Sequence, residues 1–204
     1  MNKKASGFTV LELIITLALT TMIMGVAYTF FFTNSKTLST TEINTMLQTE
    51  AENIEKSLLN LGTEAKKIIQ VNGVVASDVS NQYSALPTDS DENENYKKPI
   101  TNLVLEYDNE DKVNIDLNSG VLTISIIDKS GKLVQSENVL SDNVKEIKIR
   151  PLDIRMVANK GQTEMETTRL EKAPGLEFDI SLAKKKGYSD VKYDTTVLVK
   201  FRNR

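Results

Sequence analysis

A chain of 204 residues with 40% apolar content can hold one sizeable domain, or a domain plus an anchor, and is not disordered throughout. It contains neither Cys nor His, which removes thiol nucleophiles, disulfides, zinc sites of the usual Cys/His kind and imidazole acid–base chemistry. Twenty-five Lys and Arg against 28 Asp and Glu, a net charge of −3, do not describe a general nucleic-acid binder.

The chain begins Met1-Asn2-Lys3-Lys4-Ala5-Ser6-Gly7, continues Phe8-Thr9-Val10-Leu11-Glu12, and stays strongly apolar to about Phe32. The roughly 25 residues of this run, at about 1.5 Å each, make about 37 Å of helix against a hydrocarbon core of about 30 Å. The run is therefore a membrane span, and Lys3 and Lys4 before it predict a cytoplasmic N-terminus and an exported remainder. Glu12 lies about one turn into the apolar stretch, where an isolated carboxylate at mid-bilayer costs about 2.5–3.5 kcal/mol. Either it is partly hydrated at the membrane edge or a positive partner compensates it. A conventional secretory signal is the competing reading, with Gly25-Val26-Ala27 as a weak small-x-small cleavage site. Against it, the run exceeds the usual apolar region of about 7–15 residues, contains Glu12 and embeds the weak site within itself.

The Lys-rich leader, Gly7, Phe8-Thr9-Val10-Leu11-Glu12 and the unbroken apolar helix together closely resemble the class III leader of type IV prepilins and type II secretion pseudopilins. That resemblance implies that a prepilin peptidase cuts between Gly7 and Phe8 on the cytoplasmic side and N-methylates Phe8. It also implies that Glu12 then meets the new α-amino group at Phe8, in its own or a neighbouring subunit. Pairing the two charges offsets much of the desolvation cost of either alone and can set subunit register.

Past the span, Ile43, Met46, Leu47, Glu50, Ala51, Ile54, Leu58, Leu61, Ala65, Ile68 and Ile69 fall mostly at three- and four-residue steps, which continues an amphipathic helix to about residue 69. Gly25, Gly62 and the Thr-Asn-Ser stretch over 33–41 are places for a bend or local melting. From 71 to 99 the periodicity is lost, and Gly73, Pro87, Pro99 and the acidic string from Asp89 to Asn95 mark a long surface loop. Leu103, Leu105 and Tyr107, then Val113, Ile115 and Leu117, then Leu122, Ile124 and Ile126 alternate with polar neighbours across short turn sequences, predicting an antiparallel meander. Alternation at Ile147 and Ile149, over 176–182 and over 191–201 adds strands to this sheet, with the last two pairing through 184–190. Residues 156–175 read as a polar, irregular excursion.

The expected fold is α+β: a leader over 1–7, a transmembrane half-helix over 8–33, and a soluble domain over 34–204 in which the helix stripe covers an antiparallel sheet. The resemblance implies the same architecture, a long pilin-like helix on an antiparallel sheet. The closing segment from Tyr193 to Arg204 is similar to the C-terminal strand of the larger minor pilins of the PilW and GspJ type. This favours a minor subunit that helps initiate or cap a filament. The family resemblance further implies as partners the prepilin peptidase, other major and minor pilins, and the assembly platform with its ATPase. It places the chain in the cell membrane as a single-pass protein before assembly and in an extracellular pilus or pseudopilus afterwards.

Other signals are weaker. Asp89-x-Asp91-x-Asn93 has the opening spacing of a calcium loop but lacks the turn Gly and the closing Glu, and reads as a solvated acidic loop. Lys184-Lys185-Lys186, in the expected hairpin turn, is a candidate contact for phosphate, an anionic envelope polymer or DNA, or a solvated turn that discourages edge pairing. No nucleophile elbow or phosphate loop is present, so neither catalysis nor a cofactor is expected. The alternatives to a structural subunit are a tip adhesin or DNA-capture module using the 71–99 or 156–175 loop, and a membrane-anchored surface enzyme.

Overall fold

The computed structural model describes residues 8–78, 82–83, 97–152, 156–159, 162–165 and 168–201. One helix, α1, runs without a break from Val10 to Glu64. It starts at a complete capping box: Thr9 is the N-cap, its side chain accepts the Glu12 N–H, and the Glu12 side chain accepts the Thr9 N–H. The bend expected over 33–41 is absent. Thr37, Thr40 and Thr41 donate their hydroxyls to the carbonyls of Thr33, Lys36 and Thr37 one turn back, so these side chains support the helix rather than compete with its backbone.

Gly62 is likewise a packing position and not a bend. A Cβ there would lie 2.0 Å from Val199 Cγ1, so glycine is what lets the helix approach the strand beneath it.

The helix ends at Glu64, five residues before the expected boundary near 69, because Ala65–Val71 forms strand β1. Ala65, Ile68 and Val71 are buried at three-residue steps, a spacing that mimics a helix. They reach the core from a strand because the pairing with β5 (Asn102–Tyr107) shifts register between Ala65 and Lys67 and again between Ile68 and Gln70, each shift re-phasing the side chains. Asn72 (φ 51°) and Gly73 (φ 79°) then turn the chain into β2 (Val74–Val75), so the expected loop from 71 begins as a tight hairpin. Later in that region come β3 (Gln82–Tyr83) and β4 (Lys98–Pro99).

The predicted meander is present as β5, β6 (Lys112–Asn118) and β7 (Val121–Ile127), with Leu103 opposite Ile115 and Ile115 opposite Ile124. Strand β8 (Leu133–Ser141) was not legible: its sequence does not alternate, and its pairing with β7 shifts register three times. β9 (Val144–Pro151) follows. The expected irregular excursion contains a short antiparallel pair, β10 (Met156–Asn159) with β11 (Gln162–Met165), then β12 (Thr168–Arg169) paired with β3, and a 3-10 turn at Leu170–Lys172. Two long strands, β13 (Gly175–Lys186) and β14 (Ser189–Lys200), close the described chain.

The single expected sheet is instead two principal sheets. One has the order β2-β1-β5-β6-β7-β8 and the other β14-β13-β9-β4. The helix lies mainly on β14 and β13, with a smaller contact to β8. Ile43, Leu47, Ala51, Ile54 and Leu58 form its buried stripe, and Phe178, Ile180, Leu182, Val197 and Val199 belong to the same core. That core continues through Ile68, Leu103, Leu105, Val113 and Leu122 of the six-stranded sheet, so the helix C-terminal half and both sheets share one interior. The fold is α+β and pilin-like: a long, apolar N-terminal helix whose second half packs on antiparallel sheets.

Candidate functional site

The candidate site is the N-terminal end of α1 and the bare apolar cylinder behind it. Every residue over 8–38 is exposed, including Leu11, Leu17, Ile23 and Phe31, the last at 78%. An ordinary surface helix keeps one polar face; over 8–32 this half is almost wholly apolar and stays exposed among the described residues. It is long and apolar enough to cross a membrane, and none of its most apolar stretch is buried. Its few polar side chains are already matched to a dry medium. Thr16, Thr20, Thr21 and Thr29 all donate their hydroxyls to helix carbonyls three or four residues back, at 2.7–3.2 Å.

Glu12 stands at the amino end of this cylinder. Its Oε2 accepts both the Thr9 N–H and the Thr9 hydroxyl at 3.1 Å, and the Glu12 N–H donates to Thr9 Oγ1 at 3.3 Å. The carboxylate therefore sits where the helix dipole favours negative charge, with one oxygen occupied by the cap. Oε1 makes no hydrogen bond among the described residues. Phe8, at 78% exposure, adjoins Thr9 directly. Gly7 lies outside the described residues, as do Lys3 and Lys4.

The lysine triplet is placed differently from its expected hairpin turn. Lys184, Lys185 and Lys186 are the last residues of β13, and the turn consists of Gly187 and Tyr188 alone, with Gly187 at φ 59°. The strand runs on because its register with β14 continues without a shift to Lys186 opposite Ser189. Lys186 Nζ reaches both Glu42 oxygens at 3.1 Å, and Lys184 Nζ lies 3.4 Å from Met46 Sδ. Two of the three lysines thus face α1. Asp89, Asp91 and Asn93 lie outside the described residues, and among the described residues no group of three Asp or Glu side chains gathers to hold a cation.

Two polar constellations escaped the sequence reading. Glu50 stands within the apolar stripe of α1, where its carboxylate accepts the Ser141 hydroxyl at 2.6 Å and the Asn143 amide at 2.9 and 3.1 Å. The signal was there, a carboxylate at a core-facing helical step, but its partners come from the β8–β9 junction some ninety residues away. Glu177 on β13 is only 4% exposed and lies between Arg150 at 2.5 Å and Lys97 at 2.8 Å. Lys97 also pairs with Asp179, which accepts the Thr196 hydroxyl at 2.8 Å. Burial pulls the Lys97 ammonium down, but hydrogen bonds and charge from Asp179 and Glu177 together outweigh it and hold the group above its ordinary value. Ion pairs in this cluster tie β9, β13 and the segment entering β4 together, and the Thr196 hydroxyl adds β14 by a hydrogen bond.

Residues 2–28 match the family described as the prokaryotic N-terminal methylation motif. Comparison with curated proteins and with solved structures returns no match. The described part of the match, residues 8–28, lies on the exposed apolar stretch, and the match contains Gly7, Phe8, Thr9 and Glu12. It implies processing by a prepilin peptidase and assembly with other pilins, and it fits membrane anchoring followed by incorporation into a pilus. An exposed apolar half-helix, a capped acidic start and this motif converge on one identification: the chain carries the prepilin signature of the type IV pilin and pseudopilin family.

Proposed function

We propose that this protein is a minor type IV pilin or pseudopilin, cut between Gly7 and Phe8, N-methylated at Phe8, and built into a filament through the apolar half of α1. The observation that carries the reading is the coincidence of the methylation motif with an apolar helical surface that stays exposed among the described residues. Before assembly that surface spans the membrane, with Lys3 and Lys4 on the cytoplasmic side and the β-domain outside. In the filament, apolar halves of neighbouring subunits cover one another. The assembly platform and its ATPase supply the extraction step, and the long closing strand β14 favours the larger, minor class of subunit.

Glu12 has two jobs in this scheme. Oε2 caps the helix through Thr9, while Oε1 is open to the α-amino group that cleavage creates at Phe8 of the same or a neighbouring subunit. Glu12→Gln keeps an acceptor for the cap but removes the charge, whereas Glu12→Ala removes both. Both variants are expected to be processed and to fail in incorporation. Normal incorporation of Glu12→Gln would reduce the residue to a helix cap.

The deciding measurement is the intact mass and N-terminal peptide of the protein from its native host. N-methyl-Phe8 at the start is the expected result. A start at Met1 would make the segment a plain anchor, and a start near Tyr28 would mean ordinary secretion.

A further inference from the structure

The β13–β14 hairpin does more than cover the helix. Working from its base toward its tip, Lys184 meets Met46, Lys186 meets Glu42, Ser189 accepts the Thr40 hydroxyl at 3.0 Å, and Tyr188 packs edge-to-face on Phe32 with ring centroids 5.5 Å apart. The hairpin therefore runs down α1 toward its N-terminus, and Tyr188 is where the β-domain reaches the apolar half. Even so, Tyr188 is 81% exposed, although a turn of two residues at the end of two long, polar-flanked strands has no need of an aromatic side chain.

Depth explains it. From Glu12 to Phe32 there are no charged residues between the two, and twenty helical steps make about 30 Å, the thickness of the hydrocarbon core. With Glu12 at one boundary, Phe32 lies at the other, and the next charge is Lys36, one turn further out. Tyr28, Phe30, Phe31, Phe32 and Tyr188 then form one aromatic band at the headgroup level, with Tyr28 and Phe32 themselves stacked at 6.4 Å. Tyrosines mark membrane–water interfaces, because a ring with a polar tip is wetted at one end and dry at the other; here Tyr28 and Tyr188 carry the hydroxyls and the phenylalanines extend the apolar side. Lys36 and Lys185, which make no ion pairs among the described residues, flank the band and suit phosphate-bearing headgroups.

We propose that the tip of the β13–β14 hairpin, centred on Tyr188, is a second membrane contact that rests in the headgroup layer of an anionic bilayer while α1 spans it. The proposal rests on the membrane-anchored reading given above. Its consequence is that the β-domain is held in one orientation on the membrane before extraction, and that this contact must break when the subunit enters a filament.

The chain has no Trp, so a single indole can report depth. The full-length chain is reconstituted into vesicles of phosphatidylcholine and phosphatidylglycerol as three separate variants: Tyr188→Trp at the tip, Leu198→Trp on the exposed face of β14, and Leu19→Trp within the span. The expected result is that the Tyr188→Trp indole is quenched by a headgroup nitroxide, shielded from aqueous iodide and blue-shifted relative to the Leu198→Trp indole. The Leu19→Trp indole should be quenched by brominated acyl chains. If Leu19→Trp is quenched by acyl bromine while Tyr188→Trp is as open to iodide as Leu198→Trp, the hairpin proposal is overturned and the anchor stands. If Leu19→Trp is not quenched either, the anchoring reading falls and takes the proposal with it.

Discussion

The two halves of α1 are one helix with its apolar surface disposed in two different ways. Over 43–62 the apolar residues occupy a single stripe, and that stripe is buried against β13, β14 and the shared core. Over 8–38 they occupy every face, and the folded chain buries none of them. The backbone is equally regular in both halves, so hydrogen bonding within the helix does not tell them apart. What differs is where the apolar surface finds cover: inside the domain for the second half, outside the chain for the first.

The sharpest way to break this contrast is to truncate an apolar side chain in each half. Ile54→Ala should cost the domain about 2–5 kcal/mol, because Ile54 is fully buried and its loss leaves a cavity. Leu17→Ala should move the same unfolding transition, measured by urea denaturation in micelles, by no more than about 0.5 kcal/mol, and should act on filament incorporation instead. Equal costs in the two would mean that the halves are not separate stability regimes.

The two helical glycines give the next largest difference. Gly62→Ala drives a methyl into Val199 and should destabilise by about 1–3 kcal/mol, with Val199→Ala in the same chain relieving the clash. Gly25→Ala meets nothing within 4 Å and should leave the domain's stability unchanged while favouring the helix by up to about 1 kcal/mol. A loss of filaments with Gly25→Ala, at unchanged domain stability, would locate a close helix–helix approach at that turn.

The carboxylates come third. Glu50→Ala leaves the Ser141 hydroxyl without its acceptor and the Asn143 amide with Asp142 in place of the Glu50 carboxylate, and should cost about 1–3 kcal/mol in thermal unfolding, whereas Glu12→Ala should leave that transition in place.

The smallest effect at neutral pH concerns Tyr107, at the join of β5 with the strand that follows the helix. Burial first, and the Glu64 charge second, push its phenol up to about 12. A group whose neutral form is favoured by folding contributes its full stabilisation below the unfolded value near 10 and loses it as pH rises through the folded one. Stability should therefore be flat to about pH 10 and fall between about 10 and 12. Ultraviolet titration should find a late-titrating phenol that is absent in Tyr107→Phe.

Much of the candidate site was legible because its signals are local. The lysines before Gly7, Phe8, the acidic Glu12 and an uninterrupted apolar run are all written within about thirty consecutive residues, whereas the capping box that Thr9 makes with Glu12 was not read from them. A helix that must cover itself from lipid shows this in composition, whatever it later packs against. The β5–β6–β7 meander was readable for the same reason: alternation and turns such as Asn118-Ser119-Gly120, where Ser119 and Gly120 both take positive φ, are neighbours in sequence.

What the sequence by itself determined, then, is the apolar half-helix, the acidic residue at its head and the β5–β6–β7 meander. Each depends on periodicity or spacing over a few turns of chain. Only the tertiary structure decided where the helix stops, because Ala65, Ile68 and Val71 keep a helical spacing and become a strand through bulged pairing with β5. It also decided that the strands divide into two principal sheets, that Gly62 is a close approach rather than a bend, and that Lys184–186 continue a strand instead of making a turn. The same is true of Glu50 and Glu177, whose burial depends on partners brought from distant positions. Pairing partners, steric clearance and burial are relations between segments far apart in the chain, and they exist only once the chain has folded.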